Sequence, residues 1–321
     1  MNILVTGGAG FIGSSLINKL IENPSLKITC LDNFDSFYNP NIKRENIKPF
    51  IKKSNFTLVK VDIRNYHQLK FKLAKQKFDI IIHLAARVGV KSSLVYPVLY
   101  SEINILGTQN LLEFARDIGC KKFIFASSSS VYGINPKVPW QENDSVLMPV
   151  SPYGATKILG EVLGHVYSNL YNMQFIGLRF FSVYGPRQRP DLVIHKFTKL
   201  IYEGKPITIY GEGETKRDYT FIDDIISGIV ATLDYSKSRY EIINLGNNES
   251  VELLKLVHML EKILGKKALI NKLPEQLGDA SVTFANINKA KKILHYQPKT
   301  TLFDGLQKYV SWFKQQNEKF K

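Results

Sequence analysis

Residues 2–13 read NILVTGGAGFIG, a five-residue β-rich run that breaks into glycines and resumes with a helical pattern. Gly8, Gly10 and Gly13 satisfy G-x-G-x-x-G, and Gly7, Gly10 and Gly13 the related G-x-x-G-x-x-G. The context decides the reading. A strand precedes the glycines, a helix opening at Phe11 and Ile12 follows them, and Asp32 ends the next strand about 20 residues on. Such glycines let the backbone approach a pyrophosphate seated on the helix N-terminus, and a carboxylate in the place of Asp32 accepts hydrogen bonds from an adenosine ribose. The same carboxylate repels a 2′-phosphate, so the pattern predicts NAD rather than NADP.

Outward from this unit, up to Arg179, short β-rich runs alternate with segments of helical period, the arrangement that yields a parallel sheet covered by helices on both faces. The predicted strands are NILVT, KITCL, FTLVK, DIIIH, KFIFA and QFIGLR, with helices over 11–22, 65–76, 97–118 and 153–171 between them. The second half is less regular. It predicts a helix over 194–202, a strand ITIY, a helix over 222–233, a strand EIINL and helices over 251–264 and 302–314. No internal repeat or low-complexity linker interrupts the chain, so the second lobe is expected to pack against the first throughout.

A chain of 321 residues suits one large domain with a smaller lobe, or two domains. Its formal net charge of +15 raises nucleic acid or a membrane surface as partners. The lysines are scattered, however, and their densest groups, Lys52–Lys53 and Lys266–Lys267, are pairs without interleaved aromatics. They predict solvated faces rather than a nucleic-acid footprint, and the same field favours a phosphate-bearing small substrate. Cys30 and Cys120 lack metal or redox spacing and the histidines lack zinc spacing, so reduced thiols and no metal are expected. No run approaches the roughly 20 apolar residues of a membrane helix, and the opening MNILVTGG is too short in apolar residues for a signal peptide. A soluble cytoplasmic protein without a membrane partner is the expectation.

Parallel sheets present ligands at the carboxyl ends of their strands, which here carry Asp62-Ile63 and His83-Leu84-Ala85-Ala86. Asp62 suits an adenine contact. His83 is open to a catalytic role, but a lone histidine at a buried strand end reads first as a hydrogen-bonded structural residue. The fifth strand runs into four hydroxyls, Ser127 to Ser130, a cluster that is either a solvated turn or a polar site. Tyr153 and Lys157 then stand at i and i+4 on one helix face. A lysine ammonium with an oxidised nicotinamide nearby favours the phenolate, a base able to take a proton from a sugar hydroxyl.

GGAGFIG, Asp32, HLAA, SSSSVYG, Y-x-x-x-K and the late RDYTFIDD together resemble, over essentially the whole chain, the extended short-chain dehydrogenase/reductase family of nucleotide-sugar epimerases and dehydratases. The resemblance implies an α/β fold, a Rossmann doubly wound parallel sheet with a smaller mixed α/β substrate-binding lobe. The NAD-binding domain would span 1–182 plus 219–248, and the nucleotide-sugar domain 183–218 plus 249–321. NAD would be a recycled prosthetic group, held by Gly7, Gly10, Phe11, Ile12, Gly13, Asp32, Asn33, Asp62, Ile63, Leu84, Ala85, Ala86 and Asn104 together with Tyr153 and Lys157. Tyr153, Lys157, Ser128 and Ser130 would form the catalytic group, with Ser128 bonding the sugar C4 oxygen and Ser129 on the same wall. Dehydratases and decarboxylating synthases of the family carry an Asp or Glu at this strand end. FASSSSVYG has none, which predicts epimerisation through a transient 4-keto sugar.

The stretch from Arg179 to Asp191, RFFSVYGPRQRPD, looks like the branch of that family acting on UDP-glucuronate, where a hydroxyl residue and an arginine hold the C6 carboxylate. Ser182 and Arg189 match those positions. A guanidinium suits a planar carboxylate, although Arg187 and Arg189 would also serve phosphates or solvent. The branch usually has Thr at the position of Ser182 and often Arg at that of Lys91. Arg217 matches the family's diphosphate-binding arginine, and Asp279 lies in the segment that closes over the UDP ribose. The implied reaction is interconversion of UDP-glucuronate and UDP-galacturonate. The same Ser128, Tyr153 and Lys157 would serve UDP-glucose or UDP-N-acetylglucosamine, and a non-catalytic NAD-sensing or nucleic-acid-binding relative is the reading from a different class. The family also implies a homodimer through the helices near 97–118 and 153–171.

Overall fold

The computed structural model describes residues 1–73, 75–145, 147–274 and 280–319. Its strands are β1 (Asn2–Thr6), β2 (Lys27–Asp32), β3 (Phe56–Lys60), β4 (Ile80–His83), β5 (Lys122–Ser128), β6 (Gln174–Phe180), β7 (Ser182–Tyr184), β8 (Ile207–Tyr210), β9 (Lys216–Arg217), β10 (Tyr219–Phe221), β11 (Tyr240–Leu245), β12 (Val251–Glu252) and β13 (Ile270–Leu273). Seven of them form one sheet in the order β11-β6-β5-β4-β1-β2-β3, every neighbour parallel. Ile3, Leu4 and Val5 of β1 and Ile80, Ile81 and Ile82 of β4 are buried, as in a sheet covered on both faces. The chain departs from β1 in one direction through β2 and β3 and returns on its other side through β4, so a crevice opens beyond the carboxyl ends of β1 and β4.

The six strands read from the sequence up to Arg179 all form, β2, β5 and β6 with one or two more residues, β1 and β3 as read, and β4 one residue shorter. Helices follow as Phe11–Leu20, Tyr66–Leu73 and Pro152–Tyr171, but the expected helix over 97–118 is divided into Pro97–Ser101, a π turn over Glu102–Leu106, and Gly107–Asp117. The wider turn carries Asn104, whose amide accepts from Arg87 N (2.8 Å) and donates to Arg87 O (2.9 Å) and Thr156 Oγ1 (3.0 Å). A regular helix would carry one residue fewer in that turn. Helix Pro40–Ile47 escapes the apolar periodicity because PNIKRENI is largely polar. Its start signal is nonetheless present, since Asn39 Oδ1 caps Asn41 N (3.0 Å) and Pro40 occupies the first turn. Outside the main sheet the strands pair in twos, β10 on β7, β12 on β9 and β13 on β8; ITIY forms as β8, while the other five, two to four residues long, are too short for period-two patterning to register.

Helix Pro152–Tyr171 lies close on β5 and β6 because its inward face carries glycines. A Cβ on Gly160 would stand 2.3 Å from the Phe125 ring, and one on Gly164 2.2 Å from the Phe175 ring. Its outward face carries Leu159, Val162, Val166 and Leu170, all exposed.

His83 ends β4 with Nδ1 2.8 Å from Thr6 Oγ1 and Nε2 3.0 Å from Thr108 Oγ1, tying β1 to helix Gly107–Asp117. A neutral imidazole donates from one nitrogen and accepts at the other, which matches two hydroxyl partners. Burial, helped by the charge of Lys157, pushes its pKa down from the ordinary 6.5 to about 3. An unfolded chain binds that proton below about pH 6.5 and the folded chain does not, so folding stability is full above that pH and falls as pH is lowered toward the folded value. Urea unfolding between pH 6.5 and 4 should lose stability steadily, and His83→Gln should reduce the proton uptake on unfolding by about one. An unchanged slope would remove His83 as the origin of the acid sensitivity.

Candidate active site

The crevice at the carboxyl ends of β1 and β4 is a cavity of about 450 Å³. One end is a dinucleotide cradle. Gly7 has φ +66°, a conformation that disfavours any side chain, and a Cβ on Gly13 would stand 2.3 Å from Gly7 O, so the first turn of helix Phe11–Leu20 comes close against the loop. That helix has no side-chain cap and no acidic residue in its first turn, leaving its N-terminal N–H groups and positive dipole end to an anion. Asp32 accepts from Ala9 N (3.2 Å) and Phe34 N (2.8 Å), which holds the carboxylate at the cavity wall. Asn33 Nδ2 donates to Asp62 Oδ2 (2.9 Å) next to it. Phosphates over the glycines and a ribose against Asp32 are what these residues fit.

Gly7, Gly10, Phe11, Ile12, Gly13, Asp32, Asn33, Asp62, Ile63, Leu84, Ala85 and Ala86 all line the cavity, as do Ser128, Ser129, Ser130, Tyr153, Lys157, Ser182 and Arg189. Asn104 does not. Its amide is spent on the backbone of Arg87 and on Thr156, so it stiffens the wall from behind. Arg217 lies on β9 outside the cavity and donates to Lys216 O (2.9 Å) and Ser281 O (3.3 Å). Asp279 lies outside the described residues.

At the other end, Lys157 Nζ donates to Ala126 O (2.7 Å) and lies 5.8 Å from the Tyr153 ring centroid. Burial pushes Lys157 down to about 7, against the opposing charge of Glu161 one turn further along the helix. Burial likewise raises the Tyr153 phenol above its ordinary value, while a hydrogen bond with Ser128 and the charge of Arg189 act to lower it. Ser128 Oγ accepts from Ser130 N (3.2 Å) and donates to Ser130 Oγ (3.1 Å), capping the 3-10 turn Ser129–Val131 and holding Ser130 at the same wall. Ser127 is different. It donates to Glu161, which in turn pairs with Arg179.

Sequence reasoning missed the rim of this site. Lys43, from the polar helix Pro40–Ile47, reaches Asp32 Oδ1 (3.4 Å) and borders the cavity. Arg87 pairs with Asp35 (3.1 Å) and lies 4.4 Å from the Phe37 ring centroid, while Arg189 lies 5.7 Å from the same ring. Arg189 also holds Asp191 through two bonds of 2.9 and 2.7 Å. Lys91 Nζ lies 4.4 Å from the Tyr210 ring centroid. Among the described residues, the acids on the cavity wall are Asp32, Asp35 and Asp62, none of them beside the serines of β5. No cluster that could hold a metal ion is present among the described residues, and none of their helices is long and apolar enough to cross a membrane.

The family model for GDP-mannose 4,6-dehydratase matches residues 4–309. A UDP-glucuronate 4-epimerase of Thermodesulfobacterium geofontis is 41% identical over 320 residues, 99% of this chain and 98% of that protein. The crystal structure of the Bacillus cereus UDP-glucuronic acid 4-epimerase, in complex with UDP-glucuronic acid and NAD, superposes with a TM-score of 0.91 at 41% identity, covering 98% of this chain and all of that one (100%). The UDP-glucose 4-epimerase of Thermotoga maritima, solved with UDP-glucose, gives the same TM-score of 0.91 at 32% identity, over 99% of this chain and 100% of that one. With that fold, that dinucleotide cradle and a tyrosine–lysine pair opening on one cavity, the chain belongs to the extended short-chain dehydrogenase/reductase family of nucleotide-sugar epimerases and dehydratases.

Proposed function

We propose that the chain is an NAD-dependent 4-epimerase of a UDP-sugar, interconverting UDP-glucuronate and UDP-galacturonate through a transient 4-keto sugar. The observation that carries this reading is the meeting, in one cavity, of the dinucleotide cradle, the Ser128–Tyr153–Lys157 wall and a loop offering Ser182 and Arg189. When bound, NAD supplies the oxidant that makes C4 a ketone and the reductant that returns it. The glycine turn and Asp32 would hold it. Tyr153, as a phenolate stabilised by the Lys157 ammonium, takes the C4 hydroxyl proton and gives it back. Ser128 bonds the C4 oxygen and keeps it in reach of Tyr153.

Epimerisation rather than elimination follows from what stands beside C4. Ser129 and Ser130 offer hydroxyls where a dehydratase needs a carboxyl group. A uronate raises a second demand, because its oxidised form is a β-keto acid that loses CO₂ readily. Arg189 and Ser182 are assigned to hold the carboxylate where the breaking bond overlaps poorly with the carbonyl π system. Arg189 already presents its fork to a carboxylate in bidentate geometry, that of Asp191, with which the sugar carboxylate would compete. Arg217 and Asp279 are assigned to the diphosphate and the UDP ribose on the resemblance alone.

The outward stripe Leu159, Val162, Val166 and Leu170, with Val98 and Leu106 also exposed, supports a homodimer built on these helices. Light scattering should return twice the chain mass of 36.6 kDa, and Val162→Glu combined with Val166→Glu should return the monomer. A wild-type monomer at micromolar concentration refutes it.

Proton NMR of the purified protein mixed with UDP-glucuronate, without added NAD, should reveal growth of UDP-galacturonate from retained cofactor. Conversion of UDP-glucose or UDP-N-acetylglucosamine instead would keep the chemistry and reassign the sugar. Silence with all three would refute the enzyme reading. Arg189→Ala should lower turnover of the glucuronate by about 10- to 100-fold, the weight of a hydrogen-bonded charge pair, and should release a UDP-pentose. Unchanged turnover without pentose would reassign Arg189.

A further inference from the structure

One member of the serine cluster has no part in the chemistry described so far. Ser127 Oγ donates to Glu161 Oε1 at 2.5 Å, and Glu161 accepts Nε and Nη2 of Arg179 at 2.9 and 2.7 Å. All three are buried, with the Glu161 and Arg179 side chains 5% and 3% exposed. A buried ion pair contributes little to stability relative to apolar residues of the same volume, so its location asks for another account. Glu161 follows Lys157 by four residues, as Lys157 follows Tyr153, which lays all three along one face of helix Pro152–Tyr171. Two adjacent residues of β5 seat that face: Ala126 O receives Lys157 Nζ, and Ser127 Oγ binds Glu161.

We propose that Glu161, fixed by Ser127 and Arg179, is a positioning residue that keeps Lys157 in its ammonium form beside Tyr153. The proposal rests on Tyr153 and Lys157 being the base and its partner. Among the described residues no carboxylate lies within ion-pair distance of Lys157, and burial alone drives the lysine toward neutrality at physiological pH. A direct ion pair would supply the missing charge but would occupy the ammonium. Ser127 and Arg179 instead take up the hydrogen bonds of Glu161, so the lysine feels the negative charge and keeps its donors for Ala126 O and for a ligand. Glu161 acts on Lys157 in the opposing direction to burial.

The other groups facing this region do not replace it. His83 on β4 is neutral, Arg179 on β6 is already bound to Glu161, and Arg189 and Tyr100 act on Tyr153 from the loop and from helix Pro97–Ser101. Tyr240 on β11 donates to the Glu161 backbone carbonyl (3.2 Å) and leaves the carboxylate alone.

The test titrates Lys157 itself, by ¹³C NMR of lysine-labelled protein with its signal identified from Lys157→Arg, alongside the pH profile of epimerisation. Removing the negative charge lowers the lysine pKa, so in E161Q both the Lys157 titration and the alkaline limb of turnover should move about one pH unit toward acid. A role confined to packing would lower the unfolding midpoint and turnover while leaving both titrations in place, and that result overturns the proposal. The double variant E161M/R179M removes both charges of the pair and refills the space, so it should move Lys157 in the same direction but by less than E161Q, which leaves the Arg179 cation uncompensated. S127A keeps the Glu161 charge and should leave both titrations near their wild-type positions, and a shift in S127A as large as that in E161Q overturns the proposal. If E161Q does not fold, the double variant decides. Because the NMR titration needs no substrate, a failed assignment of the sugar or reaction would leave its outcome legible.

Discussion

The seating of helix Pro152–Tyr171 on β5 is the contact on which the site depends. Phe125 and Phe175 occupy the space that side chains at Gly160 and Gly164 would need, so the helix approaches closely enough for Lys157 to reach the Ala126 carbonyl. With the Ser127–Glu161 bond one turn further on, that contact ties the helix to the strand at two successive residues. Tyr153 and Ser128 then meet at the strand end without further adjustment, and Glu161 falls on Ser127 one turn below. Close packing converts small displacements into lost contacts, so precision at the tyrosine is inherited from rings more than a helical turn away.

The cavity itself is a consequence of topology. Because the sheet order reverses between β1 and β4, the glycine turn, Asp32, Asp62 and the HLAA segment border one crevice although they are scattered over the first third of the chain. Beyond the main sheet, the later part of the chain contributes helices Val193–Glu203, Leu253–Leu264 and Leu302–Lys319. Ser182 of β7 and Arg189 of the loop that follows reach the cavity from just beyond β6, and β10 pairs with β7 in parallel.

What was legible in the sequence was whatever repeats with a period or sits at a fixed offset from a strand end. The six strands up to Arg179, the glycine turn, Asp32 and the Tyr153–Lys157 spacing are of that kind. Lys43 and the Arg87–Asp35 pair were not, since each is brought to the cavity by a loop or a polar helix whose path no periodicity reports. Asn104 is placed among the cofactor contacts by the resemblance alone, not by any spacing in the sequence. In the structure it sits on the π turn outside the cavity lining, its amide bonded to Arg87 N, Arg87 O and Thr156 Oγ1. The serine cluster was divided by strand alternation. Neighbouring serines on one strand face opposite ways, and so Ser127 and Ser128 meet different residues of the same helix.

Arg189 does not wait at the cavity as a bare cation. Its guanidinium is already satisfied by Asp191, so a sugar that lacks a carboxylate would leave no orphaned charge behind it. Under the proposed function, a preference for uronates therefore cannot come from an unfilled electrostatic hole. It would have to come from how favourably a uronate competes with Asp191 for the same fork. Passage between acidic and neutral sugars in the history of such a loop is then a graded exchange of one anion for another, open to small steps that never leave a buried charge alone.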